Sequence, residues 1–184
     1  HELRTPISGV LGMLHLLSHT SLNEEQQTYA ETMQVSSDHL LKIINDILDL
    51  AKIETGQMDV VNAPLDFRDA IEDICALFSL RAIEQSLTLN CIIRPDVPGI
   101  ISGDADRLKQ VVINLLDNAI KFTHEGSVIM TVSQINAGTE AAQLEIEVAD
   151  TGIGIPQDQL ERIFTSFSQV DDSYARRYDG TGLG

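Results

Sequence analysis

The apolar residues of positions 1–56 repeat with the period of an α-helix, and this repeat limits what the chain can fold into more than any other feature. Two rows of apolar residues are separated by a polar break at residues 19–23. The first row consists of Leu3, Ile7, Val10, Leu14 and Leu17, and the second of Met33, Leu40, Ile43, Ile47 and Leu50. The pattern predicts two helices joined by a short loop, with Ser21 and Glu24 at the spacing of a capping box.

A single antiparallel hairpin buries only one stripe of each helix, and the second apolar row is broad. Pairing of two hairpins into a four-helix bundle would cover the remainder, so we expect a homodimer. Gly56 is expected to end the second helix, and residues 57–65, with Pro64, to form a linker. The first domain is therefore predicted to span residues 1–60.

Residues 61–184 alternate helical and strand patterns and are predicted to form the second domain. Asp66 and Asp104 can cap helices over 67–84 and 105–122. A strand is expected near 87–93, and residues 127–135 and 144–149 read as a hairpin with a loop at 136–142. The predicted class is α+β: a helical hairpin followed by an α/β sandwich with helices on one face of a mixed sheet.

The charge balance restricts the possible partners. The chain has 12 basic and 28 acidic residues, a net charge of −16, which argues against a nucleic-acid partner. An anionic nucleotide would need a divalent cation, a few positive groups and backbone N–H donors. Cys75 and Cys91 show no metal-binding spacing, and no apolar run reaches the roughly 20 residues of a membrane span. We therefore expect no membrane segment here and a reducing, cytoplasmic setting, while the parent protein can be membrane-anchored.

His1 is the first candidate for chemistry. It precedes Leu3 by two residues, about 200° around a helix, and so faces away from the apolar row. Glu2 can act as a general base for the imidazole, and Pro6 loosens the helix beside it. A lone histidine is more often a passive surface residue, and the remaining four are interpreted in that way: His15, His19, His39 and His124.

A second candidate site lies on the predicted helix 105–122. Asn114, Asn118 and Lys121 follow one another at i, i+4 and i+7, which places them on one face. Carboxamide oxygens are suitable ligands for Mg²⁺, and the Lys121 ammonium can bind a phosphate group. The alternative is an ordinary solvated face, although asparagine is a poor helix former.

Two glycine-containing strings complete the candidates. Asp150 directly follows a predicted strand, so its carboxylate can accept a hydrogen bond from an adenine amino group, while Gly152 and Gly154 let the backbone approach the ring. Gly180–Gly184, with Arg176 and Arg177 nearby, can form a lid over phosphates. A plain turn and a flexible terminus are the respective alternatives.

Taken in order, these strings resemble the sensor histidine kinases of two-component signalling. His1–Pro6 resembles the H box, and Asp106–Thr123 the N box. Asp150–Gly154 is similar to the G1 box, Phe164 and Phe167 to the F box, and Gly180–Gly184 to the G2 box.

The resemblance implies a phosphoacceptor hairpin followed by an ATP-binding domain with the fold of gyrase, chaperone and mismatch-repair ATPases. It implies His1 as phosphoacceptor, with Thr5 helping to position water for dephosphorylation of the partner. It also implies Mg²⁺ at Asn114 and Asn118, with Asn118 the direct ligand. Contacts to ATP are implied at Lys121, Asp150, Gly152, Gly154, Phe167, Arg177, Gly180, Thr181, Gly182, Leu183 and Gly184.

The implied activity is autophosphorylation on His1, followed by transfer to an aspartate of a response-regulator receiver domain. A receiver attached to the same parent chain would make it a hybrid kinase. The ATPase relatives carry a glutamate at the position of Asn114, where it activates water. Family members continue beyond the position of Gly184, so the ATP-binding domain is expected to be incomplete, and Asp179 stands where a glycine is frequent. The alternatives are a non-catalytic dimerising pseudokinase and an ATPase of the same superfamily.

Overall fold

The computed structural model describes residues 4–135 and 143–160. The described residues fall into two compact units, the first ending at Met58 and the second beginning at Asp59. His1 and Glu2, the predicted loop at 136–142 and every string from residue 161 onward lie outside the described residues. Within the described part, no helix is both long and apolar enough to cross a membrane.

The first unit is an antiparallel hairpin of helices α1 (Arg4–Ser18) and α2 (Glu24–Glu54). Leu14, Ala30 and Ile44 are buried, whereas other members of the two apolar rows are exposed, among them Val10, Leu17, Met33, Leu40 and Ile47. One copy of the hairpin therefore leaves most of the apolar rows uncovered.

The caps of α2 explain where this helix begins and ends. Asn23 caps its first turn, accepting from the Gln26 N–H at 2.8 Å, while the Gln26 side chain accepts from the Asn23 N–H at 3.1 Å. The expected box at Ser21 and Glu24 was wrong, because the same motif is shifted by two residues. At the other end Gly56 has φ +65°, and the N–H groups of Gly56 and Gln57 donate to carbonyls of the last turn. This glycine-terminated C-cap confirms Gly56 as the stop signal.

The second unit has a three-stranded sheet in the order β2 (Thr88–Ile93), β4 (Ser127–Gln134) and β5 (Leu144–Asp150). Strand β2 is parallel to β4, with Leu89 opposite Val128. Strands β4 and β5 are antiparallel, with Met130 opposite Val148, as the hairpin pattern predicted. Parallel pairing of β2 and β4 requires a crossover, and helix α4 (Ala105–Phe122) lies in it.

Helices α3 (Phe67–Glu84) and α4 pack with one face of this sheet and form the core. Alternate residues of β4 point into that core, so Val128, Met130 and Val132 are completely buried. Leu116 of α4 and Ile71 of α3 are equally buried. The two helices are also joined by an ion pair of 2.8 Å between Arg81 and Asp117. The arrangement confirms the predicted α+β class with helices on one face of a mixed sheet.

A small second sheet consists of β1 (Ala63–Asp66) and β3 (Ile100–Gly103), which pair antiparallel. The sequence pattern predicted neither strand, and residues 57–65 were expected to be linker throughout. In addition, the Val61 N–H donates to the Asp104 carboxylate at 3.0 Å. The chain is thus attached to the second unit from Val61 onward.

Candidate functional site

Helix α4 supplies the central part of the candidate site. Its N-cap is Asp104, whose carboxylate accepts the N–H groups of Asp106 and Arg107, each at 3.1 Å. These bonds, with that from Val61, lower the pKa of the Asp104 carboxyl, the Val61 bond contributing most. The predicted cap and the predicted span 105–122 are confirmed.

One face of α4 is buried and the adjacent face carries the polar stripe. Val112, Leu116, Ala119 and Ile120 point into the core. In contrast, Asn114 and Lys121 are half-buried and Asn118 is exposed. Since the hydrophobic face fixes the rotation of the helix, the three polar residues are held outward together.

The two carboxamides of this stripe have the chemistry of a magnesium site. The side chains of Asn114 and Asn118 make no hydrogen bond to another residue that the structure describes, so both carboxamide oxygens are open to a ligand. Mg²⁺ prefers oxygen ligands, and it commonly keeps several waters and binds substrate phosphates as well. The donor set therefore fits a hydrated Mg²⁺. Lys121 adds positive charge at the end of α4, and its ammonium lies 5.3 Å from the centre of the Phe122 ring.

The turn after β5 is bonded directly to the end of α4. The Asp150 carboxylate accepts the Gly152 N–H at 2.8 Å, and the Ile153 N–H donates to the Phe122 carbonyl at 3.2 Å. Asp150 itself is exposed, with one carboxylate oxygen engaged in the turn. The structure thus brings together two strings that are nearly 30 residues apart in sequence.

Thr151 holds this turn to the loop that follows α4, and the sequence analysis did not assign it a role. Its hydroxyl accepts the Ser127 N–H at 3.0 Å and lies 3.3 Å and 3.4 Å from the Ser127 and Glu125 carbonyl oxygens. One signal was available, because a threonine directly after a strand commonly makes local side-chain to backbone bonds. That signal does not indicate the partner, Ser127, which is 24 residues away in sequence.

Two glycines are required by the close approach of these segments. A Cβ on Gly152 would lie 2.3 Å from the Phe122 carbonyl oxygen, and one on Gly126 would lie 2.2 Å from the Thr151 hydroxyl. Gly126 also has φ +115°, a backbone conformation that side chains disfavour. By contrast, a Cβ on Gly154 would meet nothing within 4 Å, although its φ is +67°. Gly152 is therefore required for packing, and Gly154 for its backbone conformation.

The hairpin contributes a different set of residues. Thr5 lies in the first described turn of α1 and is exposed. Its neighbour Arg4 donates to the Asn45 side chain of α2 at 2.7 Å, which ties the start of α1 to the other helix. No local pattern in the sequence indicates this bond, because its two residues are 41 positions apart. The remaining predicted site residues lie outside the described part: His1, Glu2, Phe167, Arg177, Gly180, Thr181, Gly182, Leu183 and Gly184.

The two cysteines lie together in the core of the second unit. A hydrogen bond to the Cys91 thiol, together with burial, raises the pKa of the Cys75 thiol. Cys75 is buried on α3 and Cys91 is partly buried on β2. A buried thiol with a raised pKa is a poor nucleophile, so Cys75 contributes to packing in the core.

Comparison with known proteins gives the same order of parts. Residues 1–56 match the His Kinase A (phospho-acceptor) domain, and residues 103–184 match the histidine kinase-, DNA gyrase B- and HSP90-like ATPase family. The whole chain aligns with the sensor protein GacS of Pseudomonas syringae pv. syringae at 42% identity, and the alignment covers 20% of that protein. It also aligns over 190 residues with the hybrid signal transduction histidine kinase A of Dictyostelium discoideum. The identity is 45%, and the alignment covers all of this chain and 9% of that protein.

A solved structure agrees in fold over the full chain. The crystal structure of full-length ShkA in complex with AMPPNP superposes with a TM-score of 0.79 at 37% identity, covering 100% of this chain and 37% of that one. The fold and the matched domains define a chain in which a phosphoacceptor-type helical hairpin precedes an ATPase-type α/β domain. The chain belongs to the sensor histidine kinases. It spans a fifth or less of the length of the two curated relatives.

Proposed function

We propose that the chain is the kinase part of an ATP-dependent protein-histidine kinase. It transfers the γ-phosphoryl group of ATP to His1 and then passes that group to an aspartate of a receiver domain. The observation that carries the proposal is the hydrogen-bonded junction between the end of α4 and the turn after β5. This junction sets Lys121 and Asp150 on adjoining segments, so a phosphate-binding group and an adenine-binding group belong to one site.

Nucleotide recognition in this proposal begins at Asp150. One carboxylate oxygen holds the Gly152 N–H, and the other is available to accept a hydrogen bond from the adenine amino group. Guanine presents a carbonyl oxygen at the same position, so the carboxylate favours ATP over GTP. Lys121, on the adjoining end of α4, would neutralise phosphate charge.

Asn114 and Asn118 would hold Mg²⁺, with Asn118 as the direct ligand. The ion, when bound, would supply charge neutralisation at the β- and γ-phosphates. A carboxamide cannot accept a proton as a carboxylate does, so Asn114 gives water no general base. Direct attack by water is therefore disfavoured, and the γ-phosphoryl group is left for the histidine.

The proposed transfer is an in-line displacement. A ring nitrogen of His1 forms a bond to the γ-phosphorus as the bond to the bridging oxygen breaks, and ADP leaves. Glu2 accepts the proton from the other ring nitrogen. The phosphohistidine then transfers its phosphoryl group to the receiver aspartate. Thr5 positions water for the later dephosphorylation of that receiver.

We also propose that the hairpin dimerises as a four-helix bundle. Val10, Leu17 and Met33 are 49%, 40% and 46% exposed in one copy, although all three belong to the apolar rows. Covering such a stripe with a second hairpin removes this apolar area from water, at about 25 cal/mol per Å².

The test of kinase activity is incubation of the parent protein with γ-labelled ATP and Mg²⁺. Label that is lost in acid, survives base and disappears in His1→Gln would support the proposal. His39→Gln is the matched control, because His39 is an exposed histidine of α2, and it should label as wild type. Absence of label would exclude kinase activity, and release of phosphate without labelling would identify an ATPase.

A binding measurement tests the adenine contact separately. Asp150→Asn should weaken ATP binding by about 1–3 kcal/mol, the range for a hydrogen bond to a charged group. Titration calorimetry with ATP and GTP measures both the loss and the change in preference. Unchanged ATP affinity would remove Asp150 from this role.

A further inference from the structure

A pair of histidines at the end of α1 is not used by the proposed kinase chemistry: His15 lies in the last turn, and His19 directly follows the last helical residue, Ser18. His15 and His19 are four residues apart, and their ring centres lie 4.6 Å from each other at an interplanar angle of 64°. Both side chains are exposed. The His19 N–H donates to the Leu16 carbonyl at 3.2 Å, so the winding of the chain continues to His19, and the ring contact places the two exposed imidazoles side by side.

The hydrogen bond of His19 determines which of its nitrogens can bind a ligand. Its Nδ1 lies 2.7 Å from the His15 carbonyl oxygen. A carbonyl oxygen can only accept, so in the neutral imidazole Nδ1 carries the proton and Nε2 keeps its lone pair. Histidines that bind metals usually donate their second ring nitrogen in this way, because the bond fixes the tautomer and the ring orientation.

The surroundings of the pair favour a cation. A groove of about 370 Å³ between α1 and α2 is lined by His15 and, from the facing helix, by Glu31. The Glu31 carboxylate accepts from Gln27 at 2.8 Å, which holds it on the groove side of α2. The chain as a whole has a net charge of −16, so its field attracts cations to exposed neutral ligands.

We propose that His15 and His19 form a chelating site for a borderline divalent transition metal, namely Zn²⁺, Ni²⁺ or Cu²⁺. Imidazole suits these ions, whereas Mg²⁺ and Ca²⁺ prefer oxygen ligands. The two imidazoles are the protein ligands, and water completes the coordination. The pair shares no residue with the candidate Mg²⁺ ligands on α4, and the proposal does not depend on the proposed kinase activity.

Metal binding would also stabilise the last turn of α1. His19 is held at the end of this turn by its bond to the His15 carbonyl, so the two ligands come together only when the turn is folded. A metal that binds the folded hairpin therefore shifts the equilibrium away from the unfolded chain.

The experiment uses the 184-residue chain with His1→Gln as the background, which removes the phosphoacceptor imidazole from competition. Zn²⁺ alone is titrated by calorimetry without nucleotide, and the thermal midpoint is measured with and without the ion. We expect one ion per chain and a raised midpoint. His15→Gln and His19→Gln should each weaken binding by about tenfold or more, since even loss of an outer-shell partner costs that much.

His39→Gln is the matched control, because it removes an exposed histidine that is remote in sequence from the pair, and it should bind as the background does. Electron paramagnetic resonance with Cu²⁺ alone should show splitting from two equivalent nitrogens, reduced to one in either variant. Zn²⁺ binding that is equal in all four proteins would overturn the proposal, as would absence of binding to the background protein. Since glutamine retains helix propensity, unchanged far-ultraviolet circular dichroism would exclude loss of the hairpin as the cause.

Discussion

Removal of the Thr151 hydroxyl should loosen the turn after β5, where we propose that adenine binds, without changing its shape. Thr151→Val replaces one β-branched residue by another of nearly equal volume, so the backbone preference after β5 is kept. The substitution removes the acceptor of the Ser127 N–H bond, which is 3.0 Å long. It also removes the hydroxyl proton that is shared between the Ser127 and Glu125 carbonyl oxygens, at 3.3 Å and 3.4 Å. The accepted bond is of ordinary length, whereas both donated contacts are long and therefore weak.

The magnitude follows from these contacts. One ordinary hydrogen bond contributes about 1 kcal/mol net, and Thr151 is exposed, so water can replace part of it. We expect ATP affinity to fall by about fivefold, which corresponds to about 1 kcal/mol. The turnover of bound ATP should change little, because Thr151 touches neither the phosphates nor His1 in the proposed site.

Titration calorimetry with ATP gives the affinity, and hydrogen exchange gives a direct local readout. The Ser127 amide should exchange faster in Thr151→Val, since it loses its acceptor. Thr151→Ser keeps the hydroxyl and is the matched control, so it should retain both affinity and protection. Equal ATP affinity in Thr151→Val and wild type, or equal loss in Thr151→Ser, would refute the positioning role.

Three further substitutions test the fold. Gly12→Ala should stabilise the chain by up to about 1 kcal/mol, the helix-propensity difference, since a Cβ there meets nothing within 4 Å; urea unfolding measures this, and a loss of stability would indicate a hidden contact. Leu116→Ala should cost about 2–5 kcal/mol because Leu116 is fully buried, and a cost below 1 kcal/mol would contradict the described core. Burial raises the pKa of Asp46, so its ionised form disfavours the folded state, and stability from this group is lost as pH rises through that pKa. Asp46→Asn should therefore have a higher thermal midpoint than wild type at pH 7, and the two midpoints should converge in acid. A difference between the two midpoints that does not change with pH would contradict this role of Asp46.

The elements predicted best from the sequence were those with strong local signals. Helices α3 and α4 were predicted with the correct limits because Asp66 and Asp104 mark their first turns and a regular apolar face follows each. The polar stripe of α4 was predicted for the same reason: a known helical period determines which residues share a face.

The elements missed depend on distant partners. Strands β1 and β3 have four residues each, and each exists only because the other supplies its hydrogen bonds. Pro64 argued further against a strand, although proline is tolerated where its missing N–H faces away from the ladder. At the start of α2, Ser21 and Asn23 both fit a capping box, and local chemistry does not choose between them. The same limit applies to Thr151, whose partner Ser127 is 24 residues away.

The attachment of Val61 to Asp104 sets the smallest fragment from which the second unit can be studied alone. A fragment starting at Phe67, where α3 begins, would remove β1 and leave the N–H and C=O groups of β3 without their ladder partners. It would also delete the Val61 N–H from the Asp104 carboxylate, at the head of the helix that carries Asn114 and Asn118. Dissection of the two units should therefore cut between Gly56, where α2 has ended, and Val61. Cuts beyond Val61 would remove a hydrogen bond at the N-terminus of α4, the end of the helix opposite to Lys121.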